Sequence, residues 1–218
     1  IGRRNGEGNF RETGRIFWNG LYFVLGLSGI IIVLSELLSP SLMKLMVSSS
    51  AICDAALSYV RWRLPGMVFA FATTMFRAFY VGTTQTRTLT LNSVVMVLSN
   101  VVFNYILIFG KLGLPALGIT GAAIGSSLAE LVSLIFFIVY TRTKCDRSRY
   151  GLEKAAKFEA ECVRSMMPVC SWTMIQNTIS ITTWFIFFMY IEHLGERALA
   201  ISNITRSVSG LIWVVLSA

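Results

Sequence analysis

The chain has 218 residues, of which 55% are hydrophobic and only 14% are charged, with a formal net charge of +8 and a mean hydropathy of +0.66. A soluble domain carries about 25% charged residues, so this composition excludes an ordinary soluble protein. The charges cluster between long apolar runs, which is typical of a multi-span membrane protein.

Six apolar runs are long enough to cross a bilayer, because about 20 helical residues at about 1.5 Å each span a hydrocarbon core of about 30 Å. The runs lack the alternation of barrel strands, which predicts an all-α, polytopic membrane protein. The second helix is expected to begin near Tyr59, with Arg61 and Arg63 extending to the membrane interface. In chain order, the predicted spans are 16–38, 64–81, 89–109, 119–140, 166–191 and 198–218.

Basic residues between the spans indicate the orientation of the chain. Most of the 19 Lys and Arg residues lie before the first span, after the second or after the fourth, which places them on one side. Short loops rich in Lys and Arg are cytoplasmic. We therefore predict a protein of the inner or plasma membrane, with both ends of this chain in the cytoplasm and in contact with lipid headgroups. No basic patch with interleaved aromatic residues predicts a nucleic-acid partner.

The longest connection, residues 141–164, predicts a boundary between two membrane lobes. It separates four predicted spans in residues 1–140 from two in residues 165–218. Within it, residues of about 150–163 predict an amphipathic helix on the cytoplasmic membrane surface, because apolar side chains recur at helical spacing between charges. These apolar residues are Leu152, Ala155, Ala156 and Phe158.

Polar side chains inside the spans carry the functional signal. The third span contains Ser99, Asn100 and Asn104, and the fifth contains Gln176 and Asn177. An amide without a partner in hydrocarbon costs roughly 4–8 kcal/mol on an alkane scale, so these groups face other helices or a wet cavity. Helix–helix contacts would explain any single amide, whereas the density of polar groups in these two spans favours a shared cavity.

The amides of Asn100 and Asn104 share one helical face because they are four residues apart, and Ser99 lies beside them. Their carbonyl oxygens are able to coordinate a cation such as Na⁺ or to orient water. This pattern predicts that the face lines a cavity, with the main charge supplied by an acid elsewhere. The alternative is that both amides only hold helices together.

Two charges and two glycines complete the candidate residues. Glu130 lies near the middle of the fourth span and Arg206 lies in the first turns of the sixth, where a charge costs at least about 2.5 kcal/mol on insertion scales. Either charge is a candidate for function, although Glu130 could instead be protonated or bonded to a hydroxyl, and Arg206 could extend outward. Gly121 and Gly125 form a GxxxG pattern, which predicts close helix packing.

The spans show no Ser–His–Asp set, no facing pair of carboxylates and no metal-binding cluster, so we predict a protein that is not an enzyme and that has no cofactor. The four cysteines have no paired spacing, which argues against a disulfide framework or a zinc site. They are Cys53, Cys145, Cys162 and Cys170.

Four blocks resemble, in order, the multidrug and toxic compound extrusion (MATE) transporters. They read IGRRNGEGNFRETGR, YVRWRLPGMVFAFATTMFRAFYVGTTQTRT, SNVVFNYILIFGKLGLPALGITGAAIGSSLAE and MMPVCSWTMIQNTISITTWFIFFMYIEHLGERALAISNI. The resemblance covers nearly the whole chain. It implies a twelve-helix transporter with two six-helix lobes, of which this chain is a fragment corresponding to helices three to eight.

The resemblance also implies a function, namely efflux of small organic, often cationic, compounds by alternating access in exchange for Na⁺ or H⁺. Many members carry an Asn and an Asp one turn apart on the fifth helix, and the matching residues here are Asn100 and Asn104. Some members carry a Glu eight residues after a Pro on the seventh helix, and the same count from Pro168 gives Gln176. Both departures put an amide where the family has an acid, so the coupling ion stays open; the coupling acid is either Glu130 or lies outside these residues.

Two alternatives belong to other functional classes. A lipid-linked saccharide flippase of the same superfamily would line its cavity with a row of cationic residues, for which Arg206 is the candidate here. A non-transporting membrane scaffold subunit would not need so many amides and hydroxyls in one span. Substrate identity, stoichiometry and oligomeric state are left open by these motifs.

Overall fold

A computed structural model of the chain describes residues 1–46, 50–111, 113, 115–193 and 196–216. Every regular element in these residues is a helix, which confirms the prediction of an all-α protein. The helices are α1 (Gly2–Gly6), α2 (Phe10–Met46), α3 (Ser50–Gly82), α4 (Thr86–Phe109), α5 (Gly118–Lys144), α6 (Arg147–Tyr150), α7 (Ala160–His193) and α8 (Glu196–Leu216).

Five of the described helices, α2, α3, α4, α5 and α7, are long and apolar enough to cross a membrane. They contain the first five predicted spans, and α3 begins at Ser50, earlier than the predicted start near Tyr59. The sixth predicted span is also helical, as α8.

The chain divides into two compact units, Ile1–Val163 and Arg164–Ala218. In the first unit, α5 packs between α3 and α4, and α2 packs against α3. The second unit contains most of α7 together with α8. The division falls at the end of the predicted connection 141–164, which therefore packs with the first unit.

An aromatic core fills one end of the first unit, where α2 begins and where α3 and α5 end. We call this end of the unit, from which the connection 141–164 continues, the linker end. Phe17, Phe79 and Phe137 are almost fully buried there. The Tyr80 and Thr141 hydroxyls are 2.7 Å apart, so these two buried hydroxyl groups form a hydrogen bond with each other. Large rings bury much apolar surface at a low entropy cost, and this cluster fixes the three helices to one another.

The segment expected to form an amphipathic helix, about 150–163, has a different structure. The short helix α6 ends at Tyr150 and is followed by Gly151, whose φ of +64° is left-handed. Residues 151–159 form turns, bends and irregular chain. The physical reason is burial: Tyr150 and Leu152 belong to the aromatic core, which a surface helix would have to leave.

Residues 152–159, which we call the strap, lie along α2. The side-chain oxygen of Asn19 accepts a hydrogen bond of 2.7 Å from the backbone N–H of Glu159. Arg15 forms an ion pair with the Glu159 carboxylate. The Tyr22 hydroxyl donates to the Ala156 carbonyl at 3.1 Å. Three residues of α2 thus hold the strap in place.

Candidate functional site

The amides of α4 face α5 and form a polar seam between these two helices. The Ser133 hydroxyl donates to the Asn92 carbonyl oxygen at 2.9 Å, and the Asn104 amide donates to the Asn100 carbonyl oxygen at 2.7 Å. The Asn100 amide makes a weaker contact of 3.5 Å with the Ser126 hydroxyl. Asn100 and Asn104 therefore share one helical face, and that face packs on α5.

Two glycines of α5 make room for the seam. A Cβ atom at Gly121 would lie 2.5 Å from the Leu107 carbonyl oxygen, and one at Gly125 would collide with the Asn104 side-chain oxygen. Both glycines are buried against α4. Their missing side chains let the α4 backbone and the Asn104 amide contact α5 directly.

Two polar atoms of the seam lack a partner among the described residues. They are the carbonyl oxygen of Asn104 and the amide nitrogen of Asn92, both buried. A buried group without a partner costs about 1–3 kcal/mol, so each of these atoms points to a water, an ion or another polar group of the complete protein. The Asn104 oxygen is an acceptor of the type that hard cations prefer, whereas the Asn100 oxygen is already used by Asn104.

Glu130 pairs with Arg63 and faces α3 instead of the amide seam. The Arg63 guanidinium contacts both carboxylate oxygens, at 2.8 and 2.5 Å. The expectation that Arg63 extends to the membrane interface is therefore wrong. Glu130 is paired with a guanidinium, whereas the alternatives considered from sequence were a protonated carboxyl group or a bond to a hydroxyl. Desolvation explains both results, because two charges in the middle of spanning helices cost less as a bidentate pair than separately.

Gly66 shapes the surroundings of this ion pair. A Cβ atom at Gly66 would lie 2.6 Å from a terminal nitrogen of Arg63 and would collide with the Ser127 hydroxyl. That hydroxyl donates to the Ala123 carbonyl at 2.9 Å and approaches the Trp62 carbonyl at 3.3 Å. The absent side chain of Gly66 leaves the space in which the guanidinium reaches α5.

The remaining candidate residues lie on α4, α7 and α8. Ser99 is half-buried on α4, and in the second unit Gln176 and Asn177 are exposed on α7. Gln176 lines a groove of about 440 Å³ together with Ser180, Thr183 and two tryptophans. Arg206 is exposed on α8, and its guanidinium lies 4.9 Å from the centre of the Phe188 ring.

Sequence reasoning missed the partners on neighbouring helices, namely Arg63 for Glu130 and Ser126 and Ser133 for the amides. A signal for the first pair is present in the sequence. Arg63 and Glu130 are each unaccompanied by an opposite charge one turn away on their own helix. Two unmatched charges at similar depth in neighbouring spans predict each other, because neither is stable there alone.

The chain matches a protein family model and several known proteins. Residues 1–106 match the family model MatE. The probable multidrug resistance protein NorM of Oceanobacillus iheyensis is 33% identical over 123 residues, which are 56% of this chain and 28% of that protein. The NorM protein of Thermotoga maritima is 24% identical over 209 residues, covering 94% of this chain and 44% of the relative.

A solved structure shares the fold. A transporter of the MOP superfamily from Pyrococcus furiosus superposes with a TM-score of 0.73 at 21% identity, over 96% of this chain and 45% of that one. This chain therefore spans less than half the length of these relatives. Together, these matches confirm the resemblance read from the sequence blocks.

Proposed function

We propose that this relative of the MATE transporters is part of a secondary active antiporter that exports small organic, often cationic, compounds. The observation that carries the proposal is the match of residues 1–106, which contain α1 to α3 and most of α4, to the family model, together with similarity to multidrug resistance proteins along most of the chain. The exchange ion is Na⁺ or H⁺, and both ends of this chain face the cytoplasm.

The packing of the first unit suits alternating access, in which one helix bundle moves as a body against another. The Arg63–Glu130 pair fastens α3 to α5, and the amide seam fastens α4 to α5. A bundle held together at its centre in this way transmits motion without deforming. In this proposal the first unit moves as one body during transport.

The proposed cation ligand in the first unit is the free carbonyl oxygen of Asn104, with Asn100 orienting it. The hydrogen bond between the two amides fixes the Asn104 side chain, so its oxygen is held in one place. A neutral amide supplies a ligand without the cost of an unpaired buried carboxylate. One amide oxygen is too few for Na⁺, so water and an acid from elsewhere complete the site.

Glu130 is assigned a different role in this proposal. Both of its carboxylate oxygens are engaged by the Arg63 guanidinium, which joins α5 to α3 at this point. Glu130 therefore holds helices in position and does not carry the exchanged proton. The flippase alternative finds less support, because Arg206 packs on Phe188 and the Arg63 charge is neutralised by Glu130.

Transport by the complete protein in proteoliposomes tests the proposal. A fluorescent organic cation is loaded, and its efflux is followed under a Na⁺ gradient, a proton gradient or neither. The proposal expects gradient-driven efflux with one of the two ions. Equal, slow efflux under all three conditions, with protein correctly inserted, would contradict it.

A further inference from the structure

A cavity of about 470 Å³ lies at the linker end of the first unit. Its walls are apolar faces of α2, α3 and α5, including Leu21, Val68 and Leu134, and residues of the strap complete it. Three charged side chains line it as well, Arg142 at the end of α5, Arg147 in α6 and Glu153 in the strap. The cavity therefore has an apolar part and a charged part.

The charged part has an excess of unpaired positive charge. Neither Arg142 nor Arg147 forms an ion pair with any residue that the structure describes, and the nearby Glu153 carboxylate pairs with neither. Elsewhere in this unit, Arg15 and Arg63 do have carboxylate partners. Two guanidiniums against one carboxylate leave a net positive charge at the cavity.

A third polar group at the cavity also lacks a partner. The side chain of Trp18 lines the cavity, and its indole N–H is buried without an acceptor among the described residues. An indole nitrogen can only donate a hydrogen bond. Two guanidiniums and an unsatisfied N–H all call for an acceptor that carries negative charge, and the apolar walls call for hydrocarbon.

The position of the cavity agrees with a lipid. Arg142 lies in the last turn of α5, a helix that is able to span the membrane, and Arg147 follows just beyond it. Arginines at this depth meet the headgroup region, and basic pockets between helices bind anionic headgroups there. We propose that this cavity binds one anionic phospholipid, with its phosphate between Arg142 and Arg147 and an acyl chain along Val68 and Leu134. This site does not depend on the transported substrate.

Lipid retention by the complete protein tests the proposal. The delipidated protein is titrated with phosphatidylglycerol or phosphatidylcholine, and bound lipid is counted by native mass spectrometry. We expect one tightly held phosphatidylglycerol and no equally held phosphatidylcholine. The double variant Arg142→Gln/Arg147→Gln should bind phosphatidylglycerol at least about tenfold more weakly, since each basic residue contributes to the attraction. The double variant Arg3→Gln/Arg4→Gln, with the same loss of charge outside the cavity, should bind as the unmodified protein does.

A second variant separates the acyl site from general surface charge. Val68→Trp fills the apolar part and leaves every charge in place, so it should also lose the tightly held lipid. Two results would overturn the proposal. One is equal retention by all variants, as when another segment of the protein fills the cavity. The other is displacement of the lipid by glycerol 3-phosphate at equal concentration, which would mark a site for a soluble anion.

Discussion

The guanidinium of Arg63 on α3 and the carboxylate of Glu130 on α5 form a bidentate ion pair near the middle of two membrane-spanning helices. Their side chains are only 29% and 11% exposed. Charges shielded in this way hold each other in place, because separating them would leave each one without compensation. The pair therefore fixes the relative position of α3 and α5.

Removing one partner of this pair should be more harmful than removing both. We expect Arg63→Leu or Glu130→Leu alone to cost about 3–5 kcal/mol of stability, because one buried charge remains unpaired. The double variant should recover a large part of that loss. Thermal unfolding in detergent, followed for the four proteins of the cycle, measures the coupling.

The neighbouring arginine provides the control for that cycle. Arg61 lies 3.5 Å from Glu36, and their side chains are 77% and 51% exposed. An exposed pair contributes at most about 1 kcal/mol, so Arg61→Leu should change the unfolding temperature little. Strictly additive effects of Arg63→Leu and Glu130→Leu would contradict the proposed role of the pair.

Adding one methyl group at Gly125 should loosen the seam between α4 and α5. A Cβ atom there collides with the Asn104 amide, and overpacking of this kind costs about 1–3 kcal/mol. Gly29→Ala on α2 is the matched control, because a Cβ atom at Gly29 meets nothing within 4 Å. If both variants unfold at the same temperature, Gly125 does not provide the close contact described here.

The strap should become accessible to protease when its anchor on α2 is removed. Asn19 is fully buried and bonds both to the Glu159 backbone and to the Arg15 carbonyl. We expect Asn19→Ala to increase tryptic cleavage after Lys154 and Lys157, which are exposed in the strap. Asn9→Ala, an exposed amide near the same end, is the control. Unchanged cleavage of the Asn19 variant would show that other contacts hold the strap.

Cysteine labelling in whole cells tests the orientation. We propose that the basic loops are cytoplasmic. A cysteine introduced at the exposed position Lys154 should therefore react with a membrane-permeant maleimide and not with an impermeant one added outside. The native Cys145 adds little background, since burial raises the pKa of its thiol and reduces the reactive thiolate at neutral pH. Labelling of the introduced cysteine by the impermeant reagent from outside would contradict the proposed orientation.

Apolar runs predict spans well because each helix must satisfy its own backbone in the membrane. The shared face of Asn100 and Asn104 on α4 could be predicted from the sequence, because it follows from helical spacing alone. Their partners could not be derived in this way, because Ser126 and Gly125 depend on which helix packs beside α4 and in which register.

Two errors have the same physical origin, which is packing between distant segments. Arg63 could be assigned to the interface from its own helix, but its partner Glu130 lies 67 positions away in the sequence. The strap has the apolar spacing of a surface helix, but Tyr150 and Leu152 are drawn into an aromatic core made by α2, α3 and α5. Hydrophobic periodicity describes one helix at a time and does not include packing against segments that are distant in the sequence.

Efflux by Asn104 variants of the complete protein is the most direct test of the proposed ion-coupled site. Asn104→Leu removes the free carbonyl oxygen and should abolish gradient-driven efflux while membrane expression stays near normal. Asn104→Asp should retain transport with a changed dependence on Na⁺ or pH, and Ser93→Leu at an exposed position of α4 should leave transport unchanged. Full transport by Asn104→Leu with unchanged ion dependence would contradict the account and limit Asn104 to helix packing.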